Sequence, residues 1–146
     1  CGAAYGIEVV QEASACADEL MGLNGLSGQM FNICGTVEGE LAGVFARTCG
    51  MNRVIVCDPP RKGMERSVTE AIKGCGADKV ILVSCNPATL ARDLGILLGS
   101  LKDEGGVLKK TPDYASTSAY RISYIQPYDM FPQTKHVETM VVLRRI

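Results

Sequence analysis

The chain has 146 residues, 47% of them hydrophobic, and a formal net charge of −1. That length holds at most one domain and that apolar content suffices for a core, while the near-neutral charge argues against a surface that grips nucleic acid by bulk electrostatics alone. Seven cysteines occur without any CxxC pair, which excludes a zinc knuckle and leaves no metal expected. The odd count favours reduced thiols in a cytosol, hence a cytoplasmic location. No apolar run approaches the length of a membrane span.

In chain order, Ala4 to Val10 reads as a short buried strand ending at Glu8. Gln11 to Leu23 has helical composition, with Ala13, Ala17, Leu20 and Met21 near one face. After the turn signals Asn24-Gly25 and Ser27-Gly28 comes a second strand, Met30 to Cys34. Val37 to Thr48 reads as a helix with Leu41, Val44 and Phe45 on one side. Arg53 to Cys57 is an unbroken apolar strand. Glu65 to Lys73 is helical, with Val68, Ala71 and Ile72 inward, and Lys79 to Val83 is the next strand. Pro87 suits the first turn of a further helix, along which Leu90, Leu94, Leu97 and Leu98 form a stripe. Gly99 to Ala119 is polar and glycine-containing, and reads as a surface loop excursion. Tyr120 to Tyr128 and Val137 to Arg144 are two strands joined by a short loop. Alternating helices and unbroken apolar strands argue for an α/β fold on a mostly parallel sheet.

Chemistry-bearing residues collect where strands end. Glu8 ends one strand, and an acidic residue there commonly bonds ribose hydroxyls. Gly35 and Thr36 follow the next. Asp58-Pro59-Pro60-Arg61 ends the third, and Ser84-Cys85-Asn86-Pro87-Ala88-Thr89-Leu90-Ala91-Arg92-Asp93 carries a thiol into a helix start. In open α/β sheets this edge gathers ligands, and a thiol there is a candidate nucleophile. The last strand is preceded by Asp129-Met130-Phe131-Pro132-Gln133-Thr134-Lys135-His136-Val137-Glu138. Taken singly, each has a plain structural reading: packing for the cysteine, an ordinary turn for Asp-Pro-Pro, a strand start for Glu138. Asp-Pro-Pro alone also occurs in amino-methyltransferases, which have no need of Cys85 or Glu138.

The three segments together, in this order, closely resemble the signature of the RNA uracil-C5 methyltransferases. The resemblance implies a class I, Rossmann-like methyltransferase sheet finished by an antiparallel strand pair, and S-adenosyl-L-methionine as cofactor. It implies an RNA partner, with the run up to Met140 most like members that act on 23S ribosomal RNA, and transfer RNA as the alternative. It assigns Cys85 as the nucleophile that adds to C6 of uracil and Glu138 as the base that removes the C5 proton. Asp58 and Arg61 would line the junction of cofactor and base. Glu8 would hold the ribose, with Gly35 and Thr36 bordering the adenine, and His136 would either position Glu138 or serve structure.

The resemblance covers residues 1–146 as the C-terminal portion of the family's catalytic domain. The strand and glycine-rich turn that open such a domain are not matched, beyond a stub at Cys1-Gly2. The iron–sulfur spacing and small RNA-binding barrel of many members are not matched either. A sheet without its central strand would have exposed edges that favour self-association. A chain that binds cofactor weakly, or an inactive methyltransferase-like fragment, is the competing expectation.

Overall fold

The computed structural model describes residues 2–105, 107–134 and 136–146, without the side chain of Asp103. Cys1 of the expected turn stub and Lys135 of the 129–138 run lie outside the described residues. The chain divides into two compact units, Cys1–Cys49 and Gly50–Ile146.

The first unit is a βαβα arrangement: β1 (Ala4–Glu8), α1 (Gln11–Leu23), β2 (Met30–Cys34) and α2 (Val37–Arg47). β1 and β2 pair in parallel with Glu8 opposite Cys34. Tyr5 and Phe31, opposite each other in that register, stack with ring centroids 5.1 Å apart. The inward face of α1 is the expected one only in part: Ala17 and Met21 are half-buried. Ser14 is buried and Leu20 is 58% exposed. The reason is polar: Asn32 on β2 donates to the Ser14 hydroxyl at 2.6 Å and to its carbonyl at 2.9 Å. That pair fixes which side of the helix meets the sheet. α2 follows expectation, burying Leu41 and Val44.

The second unit contains β3 (Val54–Cys57), α3 (Arg66–Cys75), β4 (Lys79–Ser84), α4 (Pro87–Leu97), β5 (Leu101–Glu104), β6 (Val107–Lys110), the single turn α5 (Tyr114–Thr117), β7 (Tyr120–Tyr128) and β8 (Glu138–Arg145). Its main sheet has the order β3-β4-β8-β7. β3 and β4 are parallel, while β8 runs antiparallel to both β4 and β7. The connections β3→β4 and β4→β7 both move across the sheet in the same direction between parallel strands. Right-handed crossover therefore sets α3 and α4 on one face. Burial follows that geometry. Val80, Leu82 and Ser84 are buried while their neighbours along β4 are only half-buried. Val80, Leu82, Val141, Leu143, Ile72 and Leu97 form the core. On the other face Val54, Val56 and Tyr124 are 53%, 67% and 47% exposed.

The expected α/β class with a terminal antiparallel pair is observed. One expectation is corrected: the Gly99–Ala119 excursion is not a plain loop. β5 and β6 form an antiparallel hairpin, and α5 adds a helical turn. The Gly105-Gly106 pair is a hairpin signal, Gly105 takes φ +66°, and Lys109 bridges to Glu104 at 2.7 Å across the two strands. The hairpin makes the chain richer in antiparallel pairing than expected. Among the described residues, β1 pairs only with β2 and β3 only with β4, so each has an open edge.

Candidate functional site

Two strands that run in parallel end at the same edge of their sheet. In the second unit that edge is fixed by register: Cys57, the last residue of β3, lies opposite Leu82, two residues before the end of β4, so Asp58 and Cys85 both emerge there. β8 runs the other way and therefore starts where β4 ends. Thr139 is opposite Ser84, which makes Glu138 and Cys85 each one residue beyond that pair. Neighbouring strands lie about 5 Å apart, so the thiol and carboxylate positions are adjacent across the β4–β8 ladder. Glu138 also pairs with Tyr128 on β7. By strand alternation it stands on the face of Met140 and Val142, away from the core face.

Cys85 is half-buried at the junction of β4 and α4, and is a free thiol. The junction is built locally. Asn86 caps α4, its Oδ1 accepting from the Ala88 N–H at 3.1 Å. Pro87 occupies the first helical position, where no N–H is required. The buried Ser84 hydroxyl accepts from the Asn86 N–H at 3.2 Å, so the residues on both sides of Cys85 are tied together.

Arg61 and Asp58 are exposed, but the turn that carries Arg61 is not loose. Gly63 N–H donates to the Pro60 carbonyl at 2.8 Å, with Gly63 at φ +79°. From α4, Asn86 Nδ2 and Thr89 Oγ1 both donate to the Arg61 carbonyl at 3.2 Å. Asp93 Oδ2 accepts from the Met64 N–H at 2.8 Å, and Arg92 Nη2 donates to the Met64 carbonyl at 3.0 Å. Asp93 is 2% exposed. Its presence on the inward side of α4 corrects the leucine stripe: Leu90 and Leu97 are buried, but Leu94 and Leu98 are only half-buried. Hydrophobic periodicity has no way to assign a buried acid. The available signal was the spacing of Asn86, Thr89 and Asp93 along one helical face, within the segment already singled out for Cys85.

Among the described residues, the segment between β7 and β8 is held by local hydrogen bonds. Met130 N–H donates to the Tyr128 carbonyl at 3.1 Å and Thr134 N–H to the Phe131 carbonyl at 3.2 Å. His136 meets Phe131 edge-on with centroids 6.4 Å apart, and its N–H donates to Thr134 Oγ1 at 3.2 Å. Phe131 and Tyr128 are 44% and 42% exposed.

The first unit holds the other expected residues. Glu8 is half-buried at the end of β1, with Oε1 accepting from the Val10 N–H at 2.7 Å. Gly35 N–H donates to the Glu8 carbonyl at 3.0 Å. A Cβ on Gly35 would come within 2.9 Å of the Glu40 side chain, which would have to shift. Thr36 caps α2, accepting from the Gly39 N–H at 3.3 Å. Each of Gly35 and Thr36 thus has a structural duty. Among the described residues no cluster of three metal-ligating side chains occurs, and no helix is long and apolar enough to cross a membrane.

Residues 40–105, which contain both the Asp58–Arg61 and the Ser84–Asp93 segments, match the family model described as tRNA (Uracil-5-)-methyltransferase. Over that segment the chain resembles this uracil-C5 methyltransferase family. It is 37% identical to an uncharacterized RNA methyltransferase of Clostridium acetobutylicum over 142 residues, 97% of this chain and 26% of the relative. A counterpart in Halalkalibacterium halodurans is 38% identical over 139 residues, 95% of this chain and 26% of that protein. The chain therefore spans about a quarter of the length of these curated relatives. Among solved structures it is similar to the Pyrococcus abyssi tRNA (uracil-54, C5)-methyltransferase in complex with S-adenosyl-L-homocysteine. There the TM-score is 0.65 with 23% identity, over 95% of this chain and 28% of that one. The M. capricolum protein TrmK, also solved with S-adenosyl-homocysteine, gives a TM-score of 0.56 with 14% identity over 99% of this chain and 52% of that one. At those identities the likeness is one of fold, and the fold is that of Rossmann-like methyltransferases.

Proposed function

We propose that this chain is a member of that family and takes part in transferring a methyl group from S-adenosyl-L-methionine to C5 of a uridine in RNA. The observation that carries this reading is the register that makes Cys85 and Glu138 neighbours at one sheet edge, beside the emergence of Asp58 from β3. C5 of uracil is a poor nucleophile. Addition of the Cys85 thiolate to C6 makes an enolate, and C5 then carries the electron pair that takes the methyl group. Glu138, on the C5 side, removes the C5 proton, and re-formation of the C5–C6 double bond expels Cys85 as thiolate. Arg61 suits the developing enolate or an RNA phosphate.

S-adenosyl-L-methionine, when bound, supplies the methyl group. The donor set of the first unit fits its ribose end. With Oε1 of Glu8 engaged by Val10, Oε2 can accept from a ribose hydroxyl, and Gly35 and Thr36 follow on the adjoining strand end. No glycine-rich turn in this sequence matches the one the family uses for the methionine end. We therefore propose that these 146 residues are a C-terminal portion of the catalytic domain with weak cofactor affinity of their own. Calorimetric titration with S-adenosyl-homocysteine tests that reading; a micromolar dissociation constant for the isolated chain would contradict it.

For the RNA, the run from Tyr128 to Met140 favours a 23S ribosomal target, in the cytoplasm. Transfer RNA is the second reading, favoured by the wording of the matching family. Methyl transfer from labelled cofactor to 23S fragments and to a tRNA transcript, side by side in the full-length protein, decides between them. No incorporation at C5 of uridine in either would sink the proposal.

A further inference from the structure

We infer that Asp93 is a positioning residue that fixes Arg61 relative to Cys85 by gripping the backbone of the 61–64 turn. This rests on the reading of Cys85 as the nucleophile. An ionised carboxylate on the inward side of a helix is costly unless it is paired and hydrogen-bonded. Asp93 meets that condition with both oxygens. Oδ2 takes the Met64 N–H at 2.8 Å, and Oδ1 takes Nε and Nη2 of Arg92 at 2.8 and 2.6 Å. Arg92 in turn reaches the Met64 carbonyl at 3.0 Å. One ion pair therefore holds residue 64 by its N–H and by its C=O.

The rest of the grip comes from the same helix. Asn86 and Thr89 hold the Arg61 carbonyl. Gly63 lies so close to the pair that a Cβ there would run into Arg92 Nη2 and come within 2.7 Å of Asp93 Oδ2. An apolar residue at 93 would fill the space as well, since well-packed hydrophobes often replace buried ion pairs without loss of stability. What the carboxylate adds is direction, because hydrogen bonds specify one placement of the turn and packing does not. Asn86 follows Cys85 directly, so the nucleophile's own segment is the support on which the Arg61 turn is mounted. A shift of the turn by about 1 Å would leave the protein folded and the thiol present, yet could cost about 100-fold in a reaction that needs both groups on one ring.

The test uses the full-length protein with transcripts of 23S RNA and tRNA made with 5-fluorouridine in place of uridine. Fluorine at C5 cannot leave as a proton, so the Cys85 adduct accumulates and its rate can be read on a denaturing gel. Asp93→Ala should slow adduct formation by about 30–100-fold, while labelling of Cys85 by iodoacetamide stays at the wild-type rate. In an Arg61→Ala background the same change should cost less than about 3-fold, because residues acting through one group are not additive. Equal losses in both backgrounds, or no loss in either, would overturn the inference while leaving the thiol chemistry intact. If Asp93→Ala does not fold, Thr89→Val reads the same coupling through the Arg61 carbonyl: a loss that disappears with Arg61→Ala supports the grip, and a loss that persists contradicts it. Absence of any adduct in the wild-type protein would instead sink the reading of Cys85 itself, and the inference with it.

Discussion

The turn after β3 and the segment between β7 and β8 both carry signature residues to the same sheet edge, yet they are built differently. The first is braced by side chains of α4 that reach across 25 to 29 residues of sequence, at the Arg61 carbonyl and the Met64 N–H. The second is held by hydrogen bonds between residues two to three apart and exposes Met130 and Phe131 at 65% and 44%. A braced turn keeps Arg61 in register with Cys85, the proposed nucleophile, before any substrate arrives. A locally held segment with exposed apolar side chains can settle against a base when one is present. The Cys85 side is pre-built, and the facing wall is adaptable.

The largest expected effect removes the chemistry that both regions serve. Cys85→Ser should abolish methyl transfer in the full-length protein, and Glu138→Gln should slow release by about 10²–10⁴-fold so that a covalent RNA–protein adduct builds up. Product formation and denaturing gels read the two. Near-normal turnover by Cys85→Ser would make the comparison moot.

Next, Gly63→Ala strikes the braced turn. The positive φ and the closeness of Arg92 and Asp93 should cost about 1–3 kcal/mol, or several degrees of melting temperature, read by calorimetry. An unchanged melting temperature would mean the turn is less tightly held than its hydrogen bonds imply. The counterpart, Phe131→Ala, should leave the melting temperature within about 1 °C, since half-exposed side chains contribute little to stability. It should weaken RNA binding by about tenfold or more if the ring stacks on a base. A large drop in melting temperature with unchanged RNA affinity would assign Phe131 to packing and remove the wall from the comparison.

Smaller effects mark the strand that feeds the braced turn. Burial, helped by the nearby Cys75, pushes the Cys57 thiol up to about 12 from an ordinary 9.0. The fold favours the neutral thiol, so this contribution to stability is complete below pH 9 and is lost as pH rises from 9 towards 12. At pH 8.5, iodoacetamide should therefore label the exposed Cys16 and Cys49 well before Cys57, as mass spectrometry would show; labelling at equal rates would contradict the burial. Val56, 67% exposed on β3, bears on the open edge of the sheet. Val56→Lys should lower concentration-dependent self-association of the isolated chain in sedimentation experiments. If it instead unfolds the chain, that face is covered in solution.

Strand and helix positions were legible because the apolar runs are short, unbroken and punctuated by Gly, Pro and Asp. Glu8, Cys57 and Glu138 stand at or within one residue of the ends expected. The juxtaposition of Cys85 with Glu138 follows from an antiparallel last strand, which the family likeness supplied and periodicity could not. The Leu101–Lys110 hairpin was missed because its strands are four residues each and mostly polar, leaving little alternation to read. The inward faces of α1 and α4 were legible only in part, for one common reason. Ser14 and Asp93 are buried by hydrogen bonds to Asn32 and Met64, and a hydrophobicity pattern cannot register a polar residue that points inward.

The most direct test of the shared edge is mass spectrometry of the adduct trapped by Glu138→Gln. The expected product is a peptide containing Cys85 that carries one C5-methylated uridine, because methyl transfer precedes the step proposed for Glu138. Attachment at any other residue, or free methylated RNA with no adduct at all, would contradict the assignment of nucleophile and base to this edge.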